Sequence, residues 1–182
     1  MMNYTINLKK MTNKDNQILS RTELDLLVGD LGDTLTNKCH EYGGGIVFVC
    51  VMKGGFMFFS DLTKHINYPI EIDFIKCSSY AGQEQKELQL HYDIETNITD
   101  KTVFIIDDIL DSGETMKFLI NHFKILGAKQ VETVSAVYKE NLDFPNHFFI
   151  YQQKANENPW YIGYGMDGPK GYSRNLDTIY TL

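Results

Sequence analysis

Val103-Phe104-Ile105-Ile106-Asp107-Asp108-Ile109-Leu110-Asp111-Ser112-Gly113-Glu114-Thr115 is the stretch whose reading decides the fold. An apolar run delivers two adjacent carboxylates, and two apolar residues later a third. A short loop with a glycine and two hydroxyl residues then leads into a helical pattern. Strand followed by helix places these acids and the loop's backbone N–H groups at one edge of a sheet. Two vicinal acids repel one another unless they face hydroxyl groups or a hydrated divalent cation. Residues 111–115 offer successive N–H groups and a permissive glycine at a helix N-terminus, an arrangement that binds anions. The bland reading of the same residues is a solvated strand end and an ordinary turn. The G-x-x-x-x-G-K-[ST] loop of nucleoside triphosphatases is absent from the chain.

On both sides of this stretch, strand and helix patterns alternate. Upstream, Ser20-Arg21-Thr22-Glu23 has the spacing of a capping box. Leu24, Leu27, Val28, Leu31, Leu35 and Cys39 follow at helical spacing, with Gly43-Gly44-Gly45 as the stop. Ile46 to Met52 is apolar throughout, which suits a strand buried on both faces. Lys53-Gly54-Gly55 breaks it, and Phe56 to Ile66 resumes helical periodicity. Strands are expected at Ile70 to Cys77 and, shorter, at Tyr4 to Leu8. Ser78 to Tyr92 is polar and reads as a loop, long enough to be functional or mobile.

Downstream, Thr115 to Leu126 predicts a helix with Met116, Leu119, Phe123 and Leu126 on one face and Gly127 as its stop. Val131 to Tyr138 predicts a strand. From Glu140 only short apolar pieces remain, Phe148 to Tyr151 and Trp160 to Tyr164, between turn-rich connections. The alternation implies an α/β fold with a mostly parallel sheet. Ligands of such sheets sit beyond the carboxyl ends of the strands, where Lys53-Gly54-Gly55 and Asp107 to Thr115 both fall.

Composition narrows the function classes. A chain of 182 residues that is 43% hydrophobic and 23% charged suits one soluble domain with a substantial core. A formal net charge of -7 disfavours a nucleic-acid partner but is compatible with phosphorylated small molecules. Cys39, Cys50 and Cys77 are odd in number and lack a C-x-x-C spacing, which reads as reduced thiols in the cytoplasm. No apolar stretch reaches transmembrane length, so no membrane partner is expected. His40, His65, His91, His122 and His147 are scattered, and none is spaced as a ligand pair. Receiver domains of signalling proteins also end an apolar strand in Asp-Asp. They keep the pair near the domain start and need a further strand-end Asp, whereas Val131 to Tyr138 is followed by Lys139.

Val103 to Thr115 resembles the phosphoribosyl-diphosphate (PRPP) signature of the type I phosphoribosyltransferases. Four more blocks, in the same order along the chain, resemble the hypoxanthine-guanine branch of that family. Val51-Met52-Lys53-Gly54-Gly55-Phe56 is similar to its Leu-Lys-Gly-Gly segment, and Ser78-Ser79-Tyr80 to its mobile-loop motif. Ile162-Gly163-Tyr164-Gly165-Met166-Asp167 resembles its Val-Gly-Tyr-Gly-Leu-Asp motif, and Tyr172-Ser173-Arg174-Asn175-Leu176 its closing Tyr-Arg-Asn-Leu. The resemblance covers roughly residues 18 to 182.

The resemblance implies the type I phosphoribosyltransferase fold, a doubly wound, mostly parallel sheet in a single domain over residues 1–182. A small hood would come from about 1–20 and 140–182, and a mobile loop from about 78–92. It implies transfer of the 5-phosphoribosyl group from PRPP to N9 of hypoxanthine or guanine, with Mg²⁺ as cofactor and pyrophosphate as product, in a cytoplasmic homodimer or homotetramer. Asp107 and Asp108 would bind the ribose hydroxyls, and with Asp167 they would hold the metal. Asp111 would be the general base at purine N7. Ser112, Gly113, Glu114 and Thr115 would cradle the 5′-phosphate, Glu114 through its N–H alone. Lys53 and Gly54 would bind pyrophosphate through a non-proline cis peptide that frees a backbone N–H, with Arg174 beside them. Lys139 would donate to the purine O6, Trp160 would stack on the base, and the backbone of Tyr161 and Asp167 would read the 2-position. Ser79 and Tyr80 would close over the site and exclude water.

The chain departs from the pattern in places. Asp107 stands where Glu is commoner, Arg174 lies seven positions after Asp167, Glu140-Asn141 follows Lys139, and Phe148 to Pro159 lacks a Val-Gly-Phe-Glu run. A phosphoribosyltransferase for xanthine or a pyrimidine, and a non-catalytic nucleotide sensor on the same fold, are the alternatives.

Overall fold

The described part of the chain enters at a 3-10 turn, Lys14–Asn16, and a short strand, Gln17–Leu19 (β1), before the capping box takes hold. The Ser20 hydroxyl accepts from the Glu23 N–H at 3.3 Å, and the Glu23 carboxylate accepts from the Ser20 N–H at 2.7 Å. These satisfy orphan donors at the start of helix α1, Arg21–Tyr42. Leu24, Val28, Leu31, Leu35 and Cys39 are its buried stripe, and Gly43 at φ +61° ends it. The computed structural model describes residues 14–81, 86–140, 144, 147–154, 157, 159–168 and 171–182, so the strand expected at Tyr4 to Leu8 lies outside the described residues.

The next elements are strand β2 (Ile46–Val51), helix α2 (Phe56–Thr63), and strands β3 (Glu71–Ala81), β4 (Lys86–Tyr92) and β5 (Thr102–Leu110). Helix α3 (Glu114–Ile125) and strands β6 (Gln130–Lys139), β7 (His147–Gln153), β8 (Tyr161–Ile162) and β9 (Ile179–Thr181) complete the chain. The main sheet has the order β4-β3-β2-β5-β6-β7. It is parallel throughout except where β3 meets β4. The fold is therefore α/β around a mostly parallel sheet, as the strand-helix alternation implies. Central strands β2 and β5 are apolar on both faces because both faces are covered. Phe48, Cys50, Phe104 and Ile106 pack with the apolar residues of α1 and α2. Val47, Val49, Val103 and Ile105 pack with Met116, Leu119 and Phe123 of α3. A second, antiparallel sheet of order β1-β9-β8 joins the two ends of the described chain.

Three boundaries differ from the sequence reading. Strand β5 continues past Ile106 to Leu110, because β6 runs equally far and pairs Asp107 with Ser135, Ile109 with Val137 and Leu110 with Tyr138. The acids thus lie within the strand. Ser78 to Tyr92 is largely strand rather than loop: Ser78 pairs with Gln89 and Tyr80 with Glu87 in the β3–β4 hairpin. Leu88, Leu90 and Tyr92 alternate with polar residues, a period-two pattern masked by the polar composition. Finally, β7 belongs to the main sheet, parallel to β6 with Ser135 opposite Phe149, so the segment from 140 is not all hood. No helical pattern announces the crossover into β7. Among the described residues, no helix is long and apolar enough to cross a membrane.

The core and the cap make different demands. Phe104→Ala empties a fully buried site between Phe48 and Tyr42 and is expected to cost about 3–5 kcal/mol. Ser20→Ala should cost about 1 kcal/mol. Urea denaturation of both variants checks this ranking, and equal losses would contradict it.

Candidate active site

At the end of β2 the Met52–Lys53 peptide bond is cis, and Gly54-Gly55 then turns the chain into α2. This bend lies directly on the acids of β5. A Cβ on Gly54 would fall 2.0 Å from Oδ2 of Asp108, and one on Gly55 3.0 Å from the Ile106 carbonyl oxygen. The missing side chain of Gly54 is what lets the Asp108 carboxylate approach the bend this closely. The Asp107 carboxylate accepts from the Asp108 N–H at 2.8 Å, and the Asp108 carboxylate from the Ile109 N–H at 2.8 Å. Successive strand side chains point to opposite faces, and the two acids serve different recesses. Asp107 lines one with the loop that follows, Asp108 another with Trp160 and Asp167. Burial pushes both carboxyls above their ordinary value. The neighbouring Asp108 charge adds to the rise at Asp107, while the Arg174 charge works against it at Asp108.

Asp111-Ser112-Gly113 links β5 to α3. Gly113 adopts φ +76°, a conformation that suits glycine, and its missing side chain leaves room for the Phe144 ring. Asp107, Asp111, Ser112, Gly113 and Thr115 line a recess of about 70 Å³ at the N-terminus of α3. Glu114 is exposed and outside that lining.

Beside this recess lies a cavity of about 350 Å³ lined by Asp108, Asp111, Lys139, Trp160, Tyr161 and Asp167, with Ile109, Pro159 and Met166 as its apolar parts. The Lys139 ammonium pairs with the Asp111 carboxylate. The Trp160 indole N–H donates to the Asp167 carbonyl at 2.8 Å, which fixes the ring although it is 55% exposed. Arg174 pairs with the Asp167 carboxylate at 2.8 Å and donates to the Gly165 carbonyl at 2.6 Å. Lys53 and Arg174 share a further recess of about 610 Å³ with Met52, Phe56, Tyr172 and Ser173.

The strand ends therefore gather the residues singled out from the sequence, except two. Ser79 and Tyr80 lie on β3 opposite Leu88 and Glu87, and their side chains are outside the description. Sequence reasoning missed Ile109, Pro159, Met166 and Phe144. Ile109 was findable, since it stands between two acids on a strand that reaches the site. Phe144 was not, because its approach to Gly113 joins residues far apart in the sequence.

Asp107, Asp108 and Asp167 carry the hard oxygen donors that Mg²⁺ prefers. Mg²⁺ commonly takes one or two carboxylates and completes its shell with waters and substrate phosphates. Among the described residues, no cluster of three or more His, Cys, Asp or Glu side chains forms a cage by itself.

A family model described as phosphoribosyl transferase domain matches residues 24–167. A hypoxanthine-guanine phosphoribosyltransferase of Streptococcus mutans is 32% identical over 182 residues, covering 97% of this chain and 94% of its own. A hypoxanthine-guanine-xanthine phosphoribosyltransferase of Tritrichomonas foetus is 33% identical over 73% of each chain. The crystal structure of a hypoxanthine phosphoribosyltransferase from Staphylococcus aureus superposes with a TM-score of 0.84 at 30% identity, over 100% of this chain and 96% of that one.

The buried acids set a pH dependence. A folded-state pKa raised above the ordinary 3.8 means that the native state binds the extra proton. Asp107 therefore supports stability below about pH 4, and that support is lost as pH rises through its folded value. Asp107→Asn is expected to raise the melting temperature of the ligand-free protein at about pH 7.5, with the gain shrinking toward about pH 4. Melts across this range check it; a gain that is absent, or independent of pH, contradicts the assignment.

Proposed function

We propose that this chain, which belongs to the phosphoribosyltransferase family, transfers the 5-phosphoribosyl group of PRPP to N9 of hypoxanthine or guanine, giving IMP or GMP and pyrophosphate. The observation that carries the reading is the cavity in which Lys139 and Asp111 face Trp160 and Tyr161, immediately beside the recess of residues 111–115. One recess is sized for a phosphate, the next for a flat heterocycle, and the two acids of β5 lie between them.

In this reading the 5′-phosphate enters the recess of Ser112, Gly113, Glu114 and Thr115, where helix N–H groups and hydroxyls donate to it. The ribose then lies at the end of β5, where Asp107 and Asp108 accept from its 2′- and 3′-hydroxyls. The base displaces the Lys139–Asp111 pair: Lys139 donates to O6, and Asp111 accepts the proton at N7. Trp160 stacks on the ring, held in place by its hydrogen bond to Asp167. Backbone atoms of Tyr161 and Asp167 read the 2-position. Lys53, Gly54 and Arg174 grip pyrophosphate in their shared recess.

Carbocation character develops at C1′ as its bond to pyrophosphate breaks, the electron pair leaving with pyrophosphate while the purine nitrogen forms the new bond. The acids of β5 stabilise the positive sugar. Mg²⁺, held by Asp107, Asp108 and Asp167, would neutralise the leaving group. The β3–β4 hairpin, with Ser79 and Tyr80, closes over the substrates and keeps water from the sugar. The small β1-β9-β8 sheet, with the segment that carries Trp160 and Asp167, is the hood. The enzyme works in the cytoplasm as a homodimer or homotetramer.

A single-turnover assay of pyrophosphate release from PRPP with hypoxanthine, guanine, xanthine and pyrimidines tests the base assignment. Asp111→Asn should lower kcat by about 10²- to 10⁴-fold while leaving PRPP binding close to wild type. A well-folded variant that turns over within a few-fold of wild type would remove Asp111 from the proton step, and release with pyrimidines alone would refute the purine reading.

A further inference from the structure

Asp61 lies on α2, the helix that begins immediately after Gly55, and both of its carboxylate oxygens are engaged. Oδ2 accepts from the Arg21 guanidinium at 2.9 Å and from the Tyr164 hydroxyl at 3.0 Å. Oδ1 accepts from the Lys64 ammonium at 2.9 Å. Tyr164 is 0% exposed and holds a left-handed backbone, φ +49°, between Gly163 and Gly165. Its ring reaches down to α2, and the Arg21 guanidinium carbon lies 6.0 Å from the ring centroid.

What this ring holds in place is a backbone contact. A Cβ on Gly165 would lie 1.9 Å from the Gly54 carbonyl oxygen, so the 163–166 turn rests directly on the Lys53-Gly54 bend. Gly165 also fixes Arg174: its N–H donates to the Arg174 carbonyl at 3.0 Å, and its carbonyl accepts from the Arg174 guanidinium at 2.6 Å. The Tyr164 N–H donates to the Leu176 carbonyl at 2.8 Å on the far side of Arg174. Asp61 therefore grips, through one phenol, the turn that sets the separation of Lys53-Gly54 from Arg174.

We infer that Asp61 and Tyr164 are positioning residues that hold the Lys53-Gly54 bend and the Gly165–Arg174 segment at the spacing a diphosphate requires, so that their link sets affinity for PRPP and pyrophosphate rather than for the base. This rests on the phosphoribosyl-transfer reading. Neither residue lines the base cavity or the recess beside Asp111. Burial pushes the phenol of Tyr164 upward, so it remains a donor at any working pH. Burial alone would raise Asp61 too, but donors on Lys64, Arg21 and Tyr164 outweigh it and keep the carboxylate ionised. The separation is sensitive because backbone meets backbone with no side chain to absorb a shift, and displacements on the order of 1 Å in a binding constellation cost up to about 10²-fold.

Tyr164→Phe removes one hydroxyl and keeps the ring. It is expected to raise the KM for PRPP and the Kd for pyrophosphate by about 5- to 20-fold, following from the loss of one charge-assisted hydrogen bond. The KM for guanine should stay within about 2-fold and the melting temperature within a few degrees. Asp61→Asn, which keeps the shape and one acceptor, should give the same selective rise in smaller degree, and it decides the matter if the phenylalanine variant folds poorly. Unchanged PRPP and pyrophosphate constants in a folded variant, or equal rises for PRPP and guanine, overturn the inference and leave a purely structural ion pair. Wild-type protein that releases no pyrophosphate from PRPP with any base would instead overturn the phosphoribosyl-transfer reading.

Discussion

Three segments from distant parts of the chain meet at Gly54, the β5 strand through the Asp108 carboxylate and the 163–166 turn through its backbone, and the site depends on that closeness. The Asp108 carboxylate packs on the α-carbon of Gly54, the Gly54 carbonyl packs on the α-carbon of Gly165, and Gly165 is tied to Arg174 by hydrogen bonds in both directions. An alanine at 54 or 165 would place a methyl group inside an atom already present. Close packing of this kind transmits position without slack. It explains how residues on β5, on the bend after β2 and on the segment after β8 share one set of recesses.

The scaffold beneath is conventional and strong where the site is neither. Strands β2 and β5, closed on both faces by α1, α2 and α3, supply an apolar platform, and β5 carries two acids out of that platform into partial burial. Their proton affinities are raised because the fold gives them little water and few compensating donors. Such a pair lowers stability and is retained where a ligand supplies what the protein withholds. The Lys139–Asp111 pair plays the complementary part across the cavity. Under the proposed reaction, each ion covers the other until a base with an oxygen and a nitrogen at matching positions replaces both contacts.

Much of this was legible in the sequence, for reasons that differ by element. The capping box of Ser20 and Glu23, the stripe of α1 and the two-sided apolar strands follow from local spacing, and the structure has them where the spacing put them. The loop after Asp111 was legible because acids, glycine and hydroxyls occur together over five residues. The extension of β5 through Asp107 to Leu110 was not, since adjacent acids argue against strand and only pairing with β6 overrides them. The β3–β4 hairpin was hidden by polar residues on one of its faces. The place of β7 in the main sheet was hidden by a crossover without a helical pattern. The Asp61–Tyr164 link carries no local signal at all: an aspartate on a helix and a tyrosine in a glycine turn become partners only when the chain closes on itself.

The chain has a single tryptophan, and Trp160 stands in the cavity assigned to the base. Its fluorescence therefore reports directly on whether a purine occupies that cavity. Titration with GMP in the presence of Mg²⁺ should quench the emission saturably as the base stacks on the indole, whereas ribose 5-phosphate, which fills the phosphate recess alone, should leave it nearly unchanged. Emission that is indifferent to GMP while the folded protein binds it, or that responds equally to both compounds, would contradict the placement of the purine between Lys139, Asp111 and Trp160.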